Sequence, residues 1–443
     1  MAVIKKIILV FCILLIGAAF YMWYFILPIP TGYAAKNLCS CLFVDGYDQS
    51  LAENNDLNFS LVGMTSNEVD YKNKTVRSTF WGFRPQVAVY RNSELGCTLK
   101  DKGEFHEITM PNVVSDTLAT MDSLQFHMLP ASAEERAAIN PILEKTIRDS
   151  VYRTRALLVL HHGKIAGEQY AEPFDSNSIF IGWSMTKSVI ATLIGILVQE
   201  GKINIDDRVP IEKWEHDPRL SRITWKDMLQ MNAGLHWDEV YSWRSNATRM
   251  LYIEGDMYNY LTNFKPEFDP GTYWEYSSGV SNILSGLLRQ VIGDEQQYHQ
   301  FPFNALAEPI GMDHFVMETD AAGNFIGSSY SHATAREWAR FGQLYLNHGV
   351  WNGKRIFPDD WSTFVSTPAP NSNGIFGAHF WLNADGHLPD VPLDVYNADG
   401  FMGQRVFILP SQDMVVVRLG LSLDQQPDFN ALLKEIIAAS ISY

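Results

Sequence analysis

Hydrophobic spacing divides the chain into regular and irregular stretches. From Ile7 to Leu27 no residue carries a charge. A helix of that length extends about 31 Å, close to the hydrocarbon thickness of a bilayer. Pro28 and Pro30 follow and are expected to stop it. Residues 34–135 mix short apolar runs with polar turns, as in Gln86-Val87-Ala88-Val89-Tyr90, and read as an irregular N-terminal extension with a few strands. Regularity begins near residue 136. Ala137 to Ser150 has helical spacing. Ala156–Leu160 and Ile165–Tyr170, joined by His161-His162-Gly163-Lys164, read as a hairpin. Ser184 to Gln199 is a long helix candidate that ends at Gly201. Helical and loop segments fill residues 205–345. Strand alternation then returns at Arg405–Ile408 and Met414–Leu419 around a Pro410-Ser411-Gln412-Asp413 turn, and an amphipathic helix, Asp428–Ser440, closes the chain.

Strands therefore lie at both ends of the regular region, with a mostly helical block between them. That order predicts an α+β fold: an antiparallel sheet flanked by helices, with the helical block inserted as a second lobe. The expected organisation is a membrane or signal segment at 1–33, an extension at 34–135 and a catalytic domain at 136–443. Clefts between lobes are common places for active sites.

Composition narrows the picture. The chain has 443 residues, 47% hydrophobic and 19% charged, which is a folded, enzyme-sized protein and not a disordered one. Its net charge of −16 argues against a nucleic-acid partner and against binding to an anionic membrane surface, both of which want a basic face. Lys5 and Lys6 precede the apolar run, so the positive-inside tendency leaves the N-terminus in the cytoplasm and exports the remainder to the periplasmic or extracellular side. A cleaved signal peptide is the competing reading, with Gly32-Tyr33-Ala34 as the cleavage site. Its apolar region usually runs about 7–15 residues, shorter than this one and poorer in aromatic residues, which favours an uncleaved anchor. Outside the apolar run stand Cys39, Cys41 and Cys97. A bridge between Cys39 and Cys41 would be badly strained, so Cys97 is expected to pair with one of them, Cys39–Cys97 being the pairing carried forward. Cys-x-Cys has no matching second pair or His-rich partner segment, so no metal or cofactor is expected.

Three short constellations carry candidate chemistry. Ser184-Met185-Thr186-Lys187 opens the long helix, where positions i and i+3 share a face and a hydroxyl can meet an amine. The helix N-terminus offers positive potential to a developing oxyanion. A lysine that accepts a proton must be neutral, and Ile179, Phe180, Ile181, Trp183, Met185, Val189 and Ile190 supply the apolar surroundings that favour this form. In isolation the tetrapeptide better describes a capping serine beside a surface lysine. Tyr276 lies in Pro270-Gly271-Thr272-Tyr273-Trp274-Glu275-Tyr276-Ser277-Ser278-Gly279; beside an ammonium its phenol could share the acid–base work, although the stretch alone is an ordinary turn. Gly400-Phe401-Met402-Gly403-Gln404 precedes the late hairpin, and its glycines let backbone N–H groups approach a ligand, as an oxyanion hole needs.

Together these constellations resemble the serine β-lactamase and penicillin-binding superfamily, and within it the class C β-lactamase-related group that includes esterases and 6-aminohexanoate-dimer hydrolases. The likeness extends over residues 136–443 and includes Gly201-Lys202-Ile203-Asn204-Ile205-Asp206-Asp207, Met231-Asn232-Ala233-Gly234-Leu235-His236-Trp237 and Ser331-His332-Ala333-Thr334-Ala335-Arg336-Glu337-Trp338-Ala339. It implies that Ser184 is a nucleophile forming an acyl-enzyme, Lys187 its proton acceptor and Tyr276 the phenol that completes the set. It further implies oxyanion donors at the N–H groups of Ser184 and Phe401, and substrate contacts from Gly400, Gly403, Gln404, Ser278 and Tyr241. Two departures stand out. Ser278 occupies the third place of a Tyr-x-Asn motif, and no cation stands where the lactamases carry Lys-Thr-Gly or His-x-Gly. Both point away from β-lactams and towards a small amide or ester. The alternatives are a penicillin-recognising or peptide-binding sensor or cell-wall accessory protein that acylates with little turnover, and a non-catalytic interaction protein that keeps the fold.

Overall fold

The computed structural model describes residues 2–101, 104–110, 128–241, 244–423 and 425–441. They divide into two compact units. The first comprises Met1–His106, Asp238–Met257 and Asp320–Gly323; the second comprises Glu107–Trp237, Tyr258–Thr319 and Asn324–Tyr443.

In the first unit, α1 (Ala2–Tyr21) passes through a π-helical turn, Met22–Ile26, into α2 (Pro28–Phe43). Among the described residues one helix is long and apolar enough to cross a membrane, the 40-residue run Ile4–Phe43, with a mean hydropathy of 2.4 in its most apolar window. The prolines do not end it. Pro28 takes the first position of α2 and Pro30 the third, where a backbone N–H has no acceptor to lose. Beyond α2 the extension is more regular than its sequence suggests. The strands β1 (Thr65–Asp70), β2 (Thr75–Phe80), β3 (Phe83–Asn92) and β4 (Gly96–Leu99) form an antiparallel meander in that order. The first strand, Thr-Ser-Asn-Glu-Val-Asp, alternates in burial but hardly in hydropathy, which hides it from a periodicity argument. Helix α2 lies against β2, β3 and β4. Cys39 on α2 is bridged to Cys97 on β4, with Cα atoms 6.1 Å apart, while Cys41 stays a buried thiol. Residues 102–103 and 111–127 of the expected extension lie outside the described residues.

The second unit has the architecture the strand order predicts. Helix α3 (Ala133–Arg148) starts a turn earlier than hydrophobic spacing indicates, because Ser132 caps it by accepting from the Glu135 N–H at 3.1 Å. Next come β5 (Thr154–His161), β6 (Lys164–Tyr170), β7 (Ile179–Ile181), α4 (Met185–Gln199) and α5 (Ser278–Ile292). After them follow β8 (Val316–Met317), β9 (Ser331–Thr334) and α6 (Ala335–Leu346). Strands β10 (Trp381–Leu382), β11 (Tyr396–Gly400), β12 (Gln404–Leu409) and β13 (Met414–Gly420), with α7 (Phe429–Ser440), complete the unit. Six strands make one antiparallel sheet in the order β10-β11-β12-β13-β5-β6, so the last strand of the chain pairs with the first of this unit. Leu157, Val159, Phe407 and Val416 on the sheet bury against Ile139 and Leu143 of α3 and Leu433 and Ile436 of α7. Removing such side chains from water is the main stabilising term, about 1.5–3 kcal/mol for each one fully buried. On α6, Gly342 packs so closely that an added Cβ would sit 2.6 Å from Val415 of the sheet. Most of the helical block between β6 and β10 belongs to the same compact unit as the sheet; Asp238–Met257 and Asp320–Gly323 belong to the first unit.

Candidate active site

The start of α4 is held from several sides. Strand β7 pairs with β9, and the chain then turns sharply: a Cβ on Gly182 would be 2.6 Å from the Trp338 ring, and Trp183 adopts a left-handed φ of 48°. Thr186 Oγ1 accepts from the Ser331 N–H of β9 at 3.0 Å and donates to the Trp183 carbonyl at 2.7 Å. This pins the first helical turn to β9.

Ser184 occupies the N-cap position, but its side chain accepts nothing from the helix N–H groups. Instead its Oγ accepts from Lys187 Nζ at 2.8 Å. Lys187 is 1% exposed and also donates to the Ser328 carbonyl at 3.0 Å; its Nζ stands 4.8 Å from the centre of the Tyr276 ring. Both parts of the ordinary reading, a capping serine and a solvated lysine, therefore fail. The geometry places a hydroxyl, a buried amine and a phenol ring together at a helix N-terminus, a disposition able to take a proton from the hydroxyl and stabilise negative charge beside it.

Tyr276 is positioned by the loop that enters α5. The Glu275 N–H donates to the Met231 carbonyl at 3.1 Å, and the Tyr276 ring packs beside Trp381 and Phe376 at centroid distances of 5.3 and 6.0 Å. Ser277 caps α5, accepting from the Val280 N–H at 3.2 Å. Ser278, expected to touch substrate, is wholly buried in the first turn of α5 instead. One turn on, Asn282 Nδ2 donates to the Ser328 hydroxyl at 3.0 Å, bracing the residue whose carbonyl receives Lys187.

The Gly400–Gln404 turn joins β11 to β12. A Cβ on Gly400 would fall 2.2 Å from the Gly182 carbonyl, so only glycine allows β11 to approach the segment that precedes Ser184. Phe401 is 49% exposed and packs edge-on to Trp183 at 5.7 Å. Gly403 and Gln404 brace this turn. Gly403 sits at φ 82° beside Arg418, whose Nη1 donates to the Met402 and Gly403 carbonyls at 2.9 and 3.0 Å. Gln404 is 2% exposed and spends its amide on the Phe401 and Gly420 carbonyls, at 3.0 and 2.6 Å, and on the Gly420 N–H at 2.9 Å. Tyr241 belongs to the first unit, where it is exposed and its hydroxyl donates to Glu239 at 2.6 Å.

Two residues near this centre were not singled out by sequence. Asp399, just before Gly400, accepts from Arg405 Nη2 at 2.8 Å. Burial raises its carboxyl above the ordinary range, while the charges of Arg405 and Lys187 pull it back. Its adjacency to Gly400 was the available signal. His379 offered none. Its Nδ1 donates to the Leu229 carbonyl at 2.7 Å, and Nε2 accepts from Ser281 Oγ at 3.0 Å. Burial pushes its pKa down to about 3, with the charge of Lys187 adding to the shift and the bond to Leu229 opposing it. The unfolded imidazole titrates near 6.5, so between these values the unfolded chain binds a proton that the folded one refuses. The contribution of His379 to stability is thus complete above about pH 6.5 and falls by about 1.4 kcal/mol per pH unit below it, until the folded pKa is reached. Denaturant unfolding followed by tryptophan fluorescence at pH 7.0, 6.0 and 5.0 checks this. His379→Gln is expected to flatten the slope by about that amount, and an unchanged slope would show that His379 is not the group responsible.

The model of the family described as Beta-lactamase matches residues 143–438. The 6-aminohexanoate-dimer hydrolase of Paenarthrobacter ureafaciens is 25% identical over 313 residues, which cover 63% of this chain and 75% of that protein. Esterase EstB of Burkholderia gladioli is 23% identical over 220 residues, 44% of this chain and 54% of the esterase. Among solved structures, a penicillin-binding protein homolog from Caulobacter crescentus superposes with a TM-score of 0.53 at 17% identity, covering 71% of this chain and 99% of that one. EstCE1, described as a hydrolase with promiscuous acyltransferase activity, superposes with a TM-score of 0.55 at 15% identity, covering 69% and 98%. At these identities the superpositions speak for the fold alone.

Proposed function

The chain belongs to the Beta-lactamase family, and on that premise we propose that it is a membrane-anchored, exported serine hydrolase that cleaves a small amide or ester through an acyl-serine. The observation that carries this reading is the 2.8 Å hydrogen bond from a buried Lys187 to Ser184 Oγ. In the proposed reaction Lys187, in its neutral form, takes the hydroxyl proton as Ser184 Oγ attacks the substrate carbonyl carbon. The N–H groups of Ser184 and Phe401 receive the oxyanion, and the proton passes to the departing amine or alcohol with help from the Tyr276 phenol. Water then gives a proton to the same acid–base set as it attacks the acyl carbon, the bond to Ser184 Oγ breaks, and that oxygen takes the proton, leaving the free acid and the serine hydroxyl.

Substrate choice follows from the walls. Trp183, Phe401, Tyr276 and Trp381 are aromatic, and the charged residues flanking the turn, Asp399 and Arg405, form an ion pair at 2.8 Å. With that pair compensated, the turn offers no cation committed to a substrate carboxylate such as β-lactams carry close to the scissile bond, and the aromatic walls favour neutral amides and esters. Relatives named as a 6-aminohexanoate-dimer hydrolase and as an esterase support an amide or ester substrate, beside another named as a beta-lactamase.

The test is turnover of p-nitrophenyl acetate and butyrate by the full-length protein in detergent, with intact mass spectrometry of the protein after mixing. Steady release of p-nitrophenol with a transient acyl mass supports the hydrolase. A persistent adduct without turnover would favour the sensor, and neither signal in folded protein would overturn the proposal. The anchor is tested separately: α1 should keep the chain in the membrane fraction after carbonate extraction, with the second unit open to protease from the exported side.

A further inference from the structure

The first unit contains a cavity of about 850 Å³ that the proposed hydrolase chemistry does not use. One wall is the turn that ends α1, with Trp23, Tyr24 and Phe25. The opposite walls carry Arg77, Arg84, Lys100, Arg244 and Arg249 against only two carboxylates, Asp101 and Glu254. The lining is therefore cationic by three charges, five minus two, in a chain whose net charge is −16. Two of the five cations are neutralised locally: Arg77 bonds Glu68 at 3.1 Å and Arg249 bonds Glu254 at 2.5 Å. Arg84, Lys100 and Arg244 form no ion pair among the described residues.

Aromatic rings from the end of the apolar helix hold two of those three in place. The Arg84 guanidinium carbon lies 5.4 Å from the centre of the Tyr24 ring, and that of Arg244 lies 4.8 Å from the Phe25 ring. Stacking occupies the face of a guanidinium and leaves its N–H edge for an anion. The Nε of Arg244 is buried and has no hydrogen-bond partner among the described residues, an expensive condition unless a ligand satisfies it. Beside the cavity the β2–β3 hairpin ends in an apolar tip. Trp81 is 66% and Phe83 53% exposed, and Phe83 packs on Trp23 at 4.7 Å. Exposed Trp and Phe next to the end of an apolar helix are the residues that settle at a membrane–water interface.

We infer that this cavity binds the phosphate of an anionic glycerophospholipid from the leaflet that α1 enters, the phosphate lying between Arg84, Lys100 and Arg244 and the acyl chains running back along α1. The inference rests on the membrane-anchor reading. A soluble phosphate ester would use the same cations but none of the aromatic tip or the exposed apolar helix that continues from it. A zwitterionic choline lipid would bring a fixed cation to three unpaired ones. The whole-chain charge conceals this because the basic residues come from segments far apart in sequence, near 77–100 and 244–249.

Native mass spectrometry of the full-length protein, released from micelles supplemented with equal phosphatidylglycerol and phosphatidylcholine, tests it. The expected result is one retained phosphatidylglycerol, at least about tenfold over phosphatidylcholine, a ratio set by the charge difference. Arg84→Gln/Arg244→Gln should abolish that preference, while the charge-matched Lys72→Gln/Lys164→Gln variant should keep it. Should the double arginine variant fail to fold by circular dichroism, Arg244→Lys replaces it: charge without a planar stacking group should weaken retention several-fold. Equal retention of the two lipids, retention unchanged by the arginine substitutions, or displacement by millimolar glycerol phosphate would overturn the inference. Loss of the chain from the membrane fraction would instead sink the anchor reading.

Discussion

Ser184→Ala is expected to lower kcat for a short-chain p-nitrophenyl ester by at least about 10⁴-fold and to remove the acyl mass adduct, while shifting the melting temperature by no more than about 2 °C. The small stability change follows from the local structure. The Ser184 hydroxyl caps no helix N–H, and it accepts from Lys187, which retains the Ser328 carbonyl as a partner. Little folding energy is therefore invested in the hydroxyl, whereas an acyl-serine route has no other oxygen in that place. Some acceleration over water should survive, because donors aimed at an oxyanion and the binding walls remain. Ser188→Ala is the matching control. That hydroxyl, one turn further along α4, donates to the His379 carbonyl at 2.7 Å. Its loss should cost stability, on the order of 1 kcal/mol, and leave the adduct on Ser184 intact. Steady-state kinetics and intact mass on the three proteins decide the matter: more than a tenth of wild-type turnover in Ser184→Ala would end the acyl-serine reading.

Legibility differs between parts of the molecule for physical reasons. Strands β5, β12 and β13 and helix α4 announce themselves because they are buried on nearly every side, and burial demands apolar runs of element length bounded by turn residues. Strand β1 pairs by its backbone and buries little, so its residues are free to be polar. Pro28 and Pro30 misled because a proline stops a helix only when the N–H it lacks was needed. At the site, Ser184 and Lys187 are legible from their spacing, since i and i+3 on a helix must be neighbours. Tyr276 and Phe401 enter only through resemblance to a family. The Ser328 carbonyl that accepts from Lys187 was not legible at all: any residue has a carbonyl, and it arrives from 141 positions away. Ser278, Gly403 and Gln404 are buried, and the Gln404 amide and Gly403 carbonyl are engaged by the protein itself, contacts that a motif does not reveal.

The second large effect concerns Lys187, where substitution can separate a proton acceptor from a mere positive charge. Lys187→Met is expected to slow acylation by about 10²–10⁴-fold, the usual worth of a positioned general base, with stability unchanged or slightly raised because an apolar chain of similar length replaces a buried amine. Lys187→Arg is the more telling variant. It keeps a cation and several donors beside Ser184, but a guanidinium is not deprotonated in proteins and so cannot take the hydroxyl proton. If Lys187 served only to hold charge near an oxyanion, the arginine variant would retain much of the activity. If it accepts the proton, arginine should fail as badly as methionine. Two further readouts bear on the same point. Wild-type acylation should rise with pH along a single ionisation that both variants lose, and a small primary amine added to Lys187→Ala should restore part of the rate, since the truncated side chain leaves room beside Ser184 Oγ. Pre-steady-state release of p-nitrophenol between pH 5.5 and 9.5 measures all of this. An arginine variant acylating within about tenfold of wild type, with the ionisation intact, would move the base to Tyr276, whose ring lies 4.8 Å from the Lys187 amine.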